Sequence, residues 1–238
     1  MAKAATKLIN ITSKNKKGIL PGYLTTQGSN SSAPGVVVIQ EWWGVNQQIK
    51  DQATNWFHSK GYTTLVPDLY RGEVAEDFET AGHLMNTLDW KGAIEDIQAS
   101  VDYLKNIAKT PKVGTVGFCM GGALSLASAV HVKNLDCAAV FYGIPSRDLA
   151  DPKEIKIPLQ LHFGQKDDLK GFSSPEDQKN LVERIKEGDF DHSKHETHFD
   201  YRAGHAFTNK KRPECYSESD TNLARERLYA FFKRYLDG

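Results

Sequence analysis

Cysteine is scarce in this chain: Cys119, Cys137 and Cys215 are the three among 238 residues. An odd, sparse set forms no paired framework, which excludes a disulfide-built scaffold and suits a reducing compartment. Charge of one sign is missing too, since 30 Lys and Arg are balanced by 30 Asp and Glu. That balance points away from nucleic acid and anionic membranes, and toward a small neutral or locally steered molecule. Long apolar runs are also lacking. The longest, Val36 to Ile39, is far too short to cross a bilayer. The opening residues, Met1 to Asn10, contain no apolar stretch of the kind a secretory signal needs. A cytoplasmic location is the expectation. There is no internal repeat and no low-complexity tract, so one domain over residues 1–238 is expected, long enough for a substantial core.

What is present is alternation. The segments around Leu8–Thr12 and Gly22–Thr26 read as an antiparallel hairpin at a sheet edge, and Gln27–Ser32 as a turn between strands. Val36–Ile39 is wholly apolar and β-branched, as befits a strand covered on both faces. Helices are then expected over Asn46–Lys60, Ala75–Leu88, Lys91–Ile107, Met120–Val130, Pro175–Lys186 and Ser219–Tyr235. Strands are expected at Thr63–Val66, Lys112–Gly117, Cys137–Tyr142, Leu159–Phe163 and Thr197–Tyr201. This order predicts an α/β fold, a mostly parallel central sheet with helices on both faces. Ligands bind such sheets beyond the carboxyl ends of the strands, so the residues just after each strand carry the functional reading.

After Lys112–Gly117 comes Gly117-Phe118-Cys119-Met120-Gly121-Gly122, then a helix of small residues. A nucleophile elbow needs glycine two before and two after the nucleophile, because the strand turns sharply into the helix. It aims the Cys119 thiol outward over a helix N-terminus, which favours thiolate, and places the Met120 N–H as an oxyanion donor. A buried structural cysteine is the plainer alternative, and the one adopted for Cys137. A nucleophile needs a base, and the base an orienting acid. Asp167 and Asp168 compete for the acid, both following strand Leu159–Phe163; a solvated turn is the other reading. His205, on the glycine-containing loop after the last strand, is the base. His192, His195 and His198 invite a zinc reading, but they run into a strand, where residues three apart face opposite ways, and no metal is expected there. Strand Val36–Ile39 ends in Gln40-Glu41-Trp42-Trp43-Gly44. Glu41 there could hydrogen-bond the resting thiol or pair with Arg71, or form a surface salt bridge over an aromatic floor.

These pieces together resemble the dienelactone hydrolase (carboxymethylenebutenolidase) family. The resemblance rests on Gln40–Gly44, Pro67-Asp68-Leu69-Tyr70-Arg71-Gly72, the Cys119 elbow, the Gly164–Asp167 turn and Ala203-Gly204-His205-Ala206-Phe207, in the family's order and over nearly the whole chain. It implies the α/β-hydrolase fold and a Cys119–His205–Asp167 triad opening small unsaturated lactones through an acyl-enzyme. It favours Asp167 over Asp168, gives Glu41 the care of the resting thiol, and makes the Trp42 N–H the second oxyanion donor. Substrate binding falls to Arg71 and Trp43. One departure stands out: the family members acting on chlorocatechol-derived lactones carry an arginine four residues after the histidine, and here that residue is Asn209, with Lys210, Lys211 and Arg212 following. No metal or organic cofactor is implied, and the partner is a small lactone or ester, with the chain a monomer or small homo-oligomer. Rival readings are a hydrolase of other small esters or thioesters, a non-catalytic ligand-binding relative, and a redox-sensing thiol protein.

Overall fold

The computed structural model describes residues 6–27 and 32–237, so residues 28–31 of the expected turn fall outside it. Eight strands form one sheet: β1 (Thr6–Thr12), β2 (Ile19–Thr25), β3 (Gly35–Ile39), β4 (Thr63–Pro67), β5 (Val113–Phe118), β6 (Cys137–Phe141), β7 (Leu159–Gly164) and β8 (His195–Tyr201). Their order across the sheet is β1-β2-β4-β3-β5-β6-β7-β8. The hairpin β1–β2 is antiparallel and joins β4 antiparallel; every pair from β4 to β8 is parallel. The α/β-hydrolase architecture expected from the sequence is thus the one observed.

Residues alternate between the two faces of each strand, and β5 shows where the helices sit. Thr115 turns toward helix α4 (Met120–His131), where its hydroxyl lies 2.9 Å from that of Ser125. Its neighbours Gly114 and Phe118 turn the other way. Gly114 abuts Phe232 and Leu236 of the C-terminal helix α6 (Glu218–Leu236), and Phe118 packs edge-on to Trp56, 5.7 Å between ring centres. Helix α3 (Trp90–Asn106) lies beside α4 on the first face. Trp56, Phe118 and Phe141 form an aromatic cluster, in which each well-oriented pair contributes about 0.5–1.5 kcal/mol beyond its burial.

The helix expected over residues 46–60 changes pitch on the way. Asn46 caps α1 (Gln47–Gln52), a widened π turn follows over Ala53–Phe57, and a tight turn ends at Gly61 with φ 98°. The wide turn coincides with adjacent buried rings: Trp56 reaches Phe118, and Phe57 reaches Phe232 at 5.8 Å. Helix α2 (Phe78–Asn86) begins later than the apolar pattern suggests, because Asp77 takes the cap and accepts from the Thr80 N–H at 2.8 Å. The residues before it are extended instead, Ala75 N–H donating to Trp43 O at 2.9 Å. That bond ties the start of α2 to the segment following β3. Helix α5 (Pro175–Lys186) opens with a capping box between Ser174 and Asp177. Among the described residues, no helix is long and apolar enough to cross a membrane.

Candidate active site

The elbow is built by steric exclusion. A Cβ on Gly117 would stand 1.8 Å from Gly121 O, and one on Gly121 would stand 2.4 Å from Ile39 O. Only bare glycines let β5 turn into α4 beside β3. Cys119 sits at the turn with φ 56° and ψ −117°, a conformation that L side chains rarely adopt. It is 8% exposed and faces a cavity of about 590 Å³. Met120 opens α4, so its N–H has no acceptor within the helix. The Tyr70 hydroxyl donates to Met120 Sδ at 3.1 Å, pinning that residue from below.

The loop after β7 buries Asp167 and leaves Asp168 exposed at the cavity rim. Asp167 is 1% exposed. Its Oδ2 lies 2.9 Å from His205 Nδ1, while Oδ1 accepts from the Ser173 hydroxyl at 2.9 Å and the Leu169 N–H at 3.2 Å. A carboxylate only accepts, so Nδ1 carries the proton and Nε2 is the nitrogen left to face Cys119. Nε2 is buried and makes no hydrogen bond of ordinary geometry within the described residues, yet the thiol adjoins it closely enough to govern its charge. Burial alone would depress the imidazole. Cys119 and Asp167 outweigh burial and raise His205 from 6.5 to about 10. The folded value lies above the unfolded one, so the imidazolium contributes stability in full below pH 6.5 and loses it as pH rises through about 10. Cys119→Ala removes the thiol and leaves burial less opposed. The His205 midpoint, followed by NMR, is then expected to fall, and an unmoved midpoint would show that the thiol is not its partner.

Glu41 lines the same cavity as Cys119 and His205. Its carboxylate accepts from Asn209 Nδ2 at 2.5 Å and, at a longer 3.4 Å, from the Tyr142 hydroxyl. Neither Arg71 nor the Cys119 thiol is among its hydrogen-bond partners. Burial pushes the Glu41 carboxyl up from its ordinary range, opposed by His205, Asn209, Tyr142 and Arg212 in that order. Asn209, the apparent gap in the family pattern, is therefore the anchor that holds Glu41 beside His205.

Arg71 is committed to another partner. With φ 60° it turns toward α3, where both terminal nitrogens reach Asp96, at 2.6 and 2.9 Å. Asn15 joins the same carboxylate at 2.9 Å. This pair clips the β1–β2 hairpin loop to α3, and Arg71 does not line the cavity. Arg212 does. Its guanidinium lies 4.9 Å from the centre of the Phe78 ring and 5.6 Å from that of Trp43, with Glu214 at 2.5 Å. Trp42, Trp43 and Phe78 meet edge-on in a cluster at the same cavity.

Ser173, Tyr142 and Phe78 escaped the sequence reading, and Arg212 was noted there only as a basic residue following Asn209. Tyr142 was within reach, since it follows β6 directly at a strand's carboxyl end, and its ring lies 5.0 Å from that of His205. Ser173 carries no such signal. The remaining histidines stay apart from this chemistry: His198 lies against Glu196 and His162, at the far side of β7.

Known proteins share the sequence pattern and the fold of this chain. The model of the dienelactone hydrolase family matches residues 20–236. Protein usf of Aquifex pyrophilus is 33% identical over 93% of this chain and 96% of its own. A carboxymethylenebutenolidase of Pseudomonas putida is 28% identical over 88% of this chain and 89% of its own. Among solved structures, a dienelactone hydrolase-like promiscuous phosphotriesterase from metagenomic libraries superposes with a TM-score of 0.81 at 20% identity, covering 97% of this chain and 99% of its own. A dienelactone hydrolase from Anabaena variabilis gives 0.65 at 18% identity, covering 97% and 99%. At such identities the structural likeness speaks for the fold, and the family model for kinship. The chain belongs to the dienelactone hydrolase family.

Proposed function

We propose that this carboxylic ester hydrolase opens small lactones and esters through a thioester on Cys119. What supports the reading is the His205–Asp167 bond at a cavity that Cys119 also lines, on an elbow opening onto aromatic walls. The Cys119 thiolate attacks the carbonyl carbon, and the N–H groups of Met120 and Trp42 receive the oxyanion. The carbon–oxygen bond of the ester breaks. His205 gives its Nε2 proton to the departing oxygen, then takes one from the water that cleaves the thioester. Asp167 keeps the imidazole in the required tautomer, assisted by Ser173.

Glu41, raised by burial, serves as a proton-holding neighbour of the thiol and imidazole, with Asn209 fixing its orientation. Trp43 and Phe78 offer flat walls to an unsaturated ring. A substrate carboxylate is received by Arg212 in place of Arg71, since a guanidinium at the cavity wall can fork onto two oxygens. The name carried by the Pseudomonas putida relative, carboxymethylenebutenolidase, supports a lactone among the substrates.

The test is to catch the intermediate. Brief mixing with p-nitrophenyl acetate, acid quench and peptide mass spectrometry should find an acetyl group on Cys119. Iodoacetamide should label Cys119 ahead of Cys137 and Cys215. Hydrolysis without an acyl adduct at Cys119, or labelling first at Cys215, would overturn the assignment.

A further inference from the structure

The catalytic cavity has a neighbour. A second hollow, also of about 590 Å³, adjoins it, and the two share Met85 and Phe172 as walls. Beyond that partition the surface is apolar: Leu88, Trp90, Ile144 and Leu149 are all half-buried and pack against the core without being covered. The charged residues Asp89, Lys91 and Asp148 line it as well, which gives an apolar floor with a polar rim.

Helix α2 links the two compartments. Phe78 and Met85 stand seven residues apart, so they share one helix face. Phe78 meets Trp42 and Trp43 over the catalytic cavity, and Met85 forms the partition. The opposite wall is equally defined. Phe172 stands with its ring 6.2 Å from His205, and its carbonyl accepts from the Ile144 N–H at 3.0 Å, binding the β7 loop to the β6 loop. Met85 is unbranched and changes rotamer readily, so of the two partition residues it is the one that yields to a chain passing through.

Resting on the ester-hydrolase reading, we infer that this second compartment is a substrate subsite for an apolar tail attached to the ester. The molecule recognised is an elongated ester, with its carbonyl at Cys119 and an alkyl or aryl tail running between Met85 and Phe172. Half-buried apolar side chains gain from each methylene laid on them, which predicts a rise in kcat/KM along a homologous series.

The experiment uses two series on the whole protein: p-nitrophenyl acetate to octanoate, and ethyl to octyl acetate. The tail lies on the acyl side in the first and on the alcohol side in the second. In at least one series, kcat/KM is expected to climb by up to about threefold to fourfold per methylene once the tail passes the partition. Most of the gain should appear in KM. Leu88→Asp and Leu149→Asp lie outside the catalytic cavity; each should erase that climb while leaving the shortest ester at the wild-type rate. A flat response in both series, or a climb that survives both substitutions, overturns the subsite. No turnover even of the shortest ester in either series would instead overturn the hydrolase reading on which it rests.

Discussion

Replacing Cys119 with alanine is expected to lower kcat/KM for p-nitrophenyl acetate by on the order of 10⁴-fold or more, as removal of a nucleophile does elsewhere. The size follows from what the residue supplies. It is the thiol at the elbow, 8% exposed, at the cavity that also holds His205. Without the thiol, His205 and the oxyanion donors remain, so residual turnover should reflect only water attack within a pre-arranged pocket. Folding gives an internal control, because alanine lacks only the sulfur and far-ultraviolet circular dichroism should be unchanged. Wild-type turnover no faster than that of the variant, across a panel of esters and lactones, would favour a ligand-binding role for the fold.

The second large effect separates two adjacent carboxylates. Asp167→Asn should cost on the order of 10³- to 10⁴-fold in kcat, because a neutral amide no longer enforces the tautomer of His205. Asp168→Asn should stay within about threefold, the scale of a surface change. Asp167 is bonded to His205, Ser173 and the Leu169 N–H, whereas Asp168 is exposed. The measurement is steady-state kinetics on both variants, and the reverse ranking would exchange their roles.

Much of this arrangement was legible in the sequence, for local reasons. The wholly apolar run of β3 and the glycines around Cys119 are constraints carried within a few residues, so the central strand and the elbow could be read directly. Spacing left Asp167 and Asp168 level, because both follow the same strand; which side chain turns inward is settled by Ser173 and His205, 6 and 38 residues away. Arg71 misled for a similar reason. It lies beside the family-like Asp68-Leu69-Tyr70 run, yet its left-handed backbone hands the guanidinium to Asp96, and nothing local announces a partner 25 residues on. The Asn209–Glu41 bond spans 168 residues. Contacts of that range follow from topology, so an asparagine that reads as a deficit in sequence is an anchor in space. The pitch change at Ala53–Phe57 was hidden too, since a π turn has no apolar period of its own to betray it.

The backbone of Cys119 has one more consequence. Its φ of 56° belongs to a region that glycine enters freely and other residues enter only at a cost, roughly 1–3 kcal/mol. The sheet and α4 hold it there regardless. Cys119 is one of six non-glycine residues among those described that bear this cost, and the one to which the proposed chemistry is assigned. Glycine at position 119 would relieve that cost and forfeit the sulfur that the proposed mechanism needs.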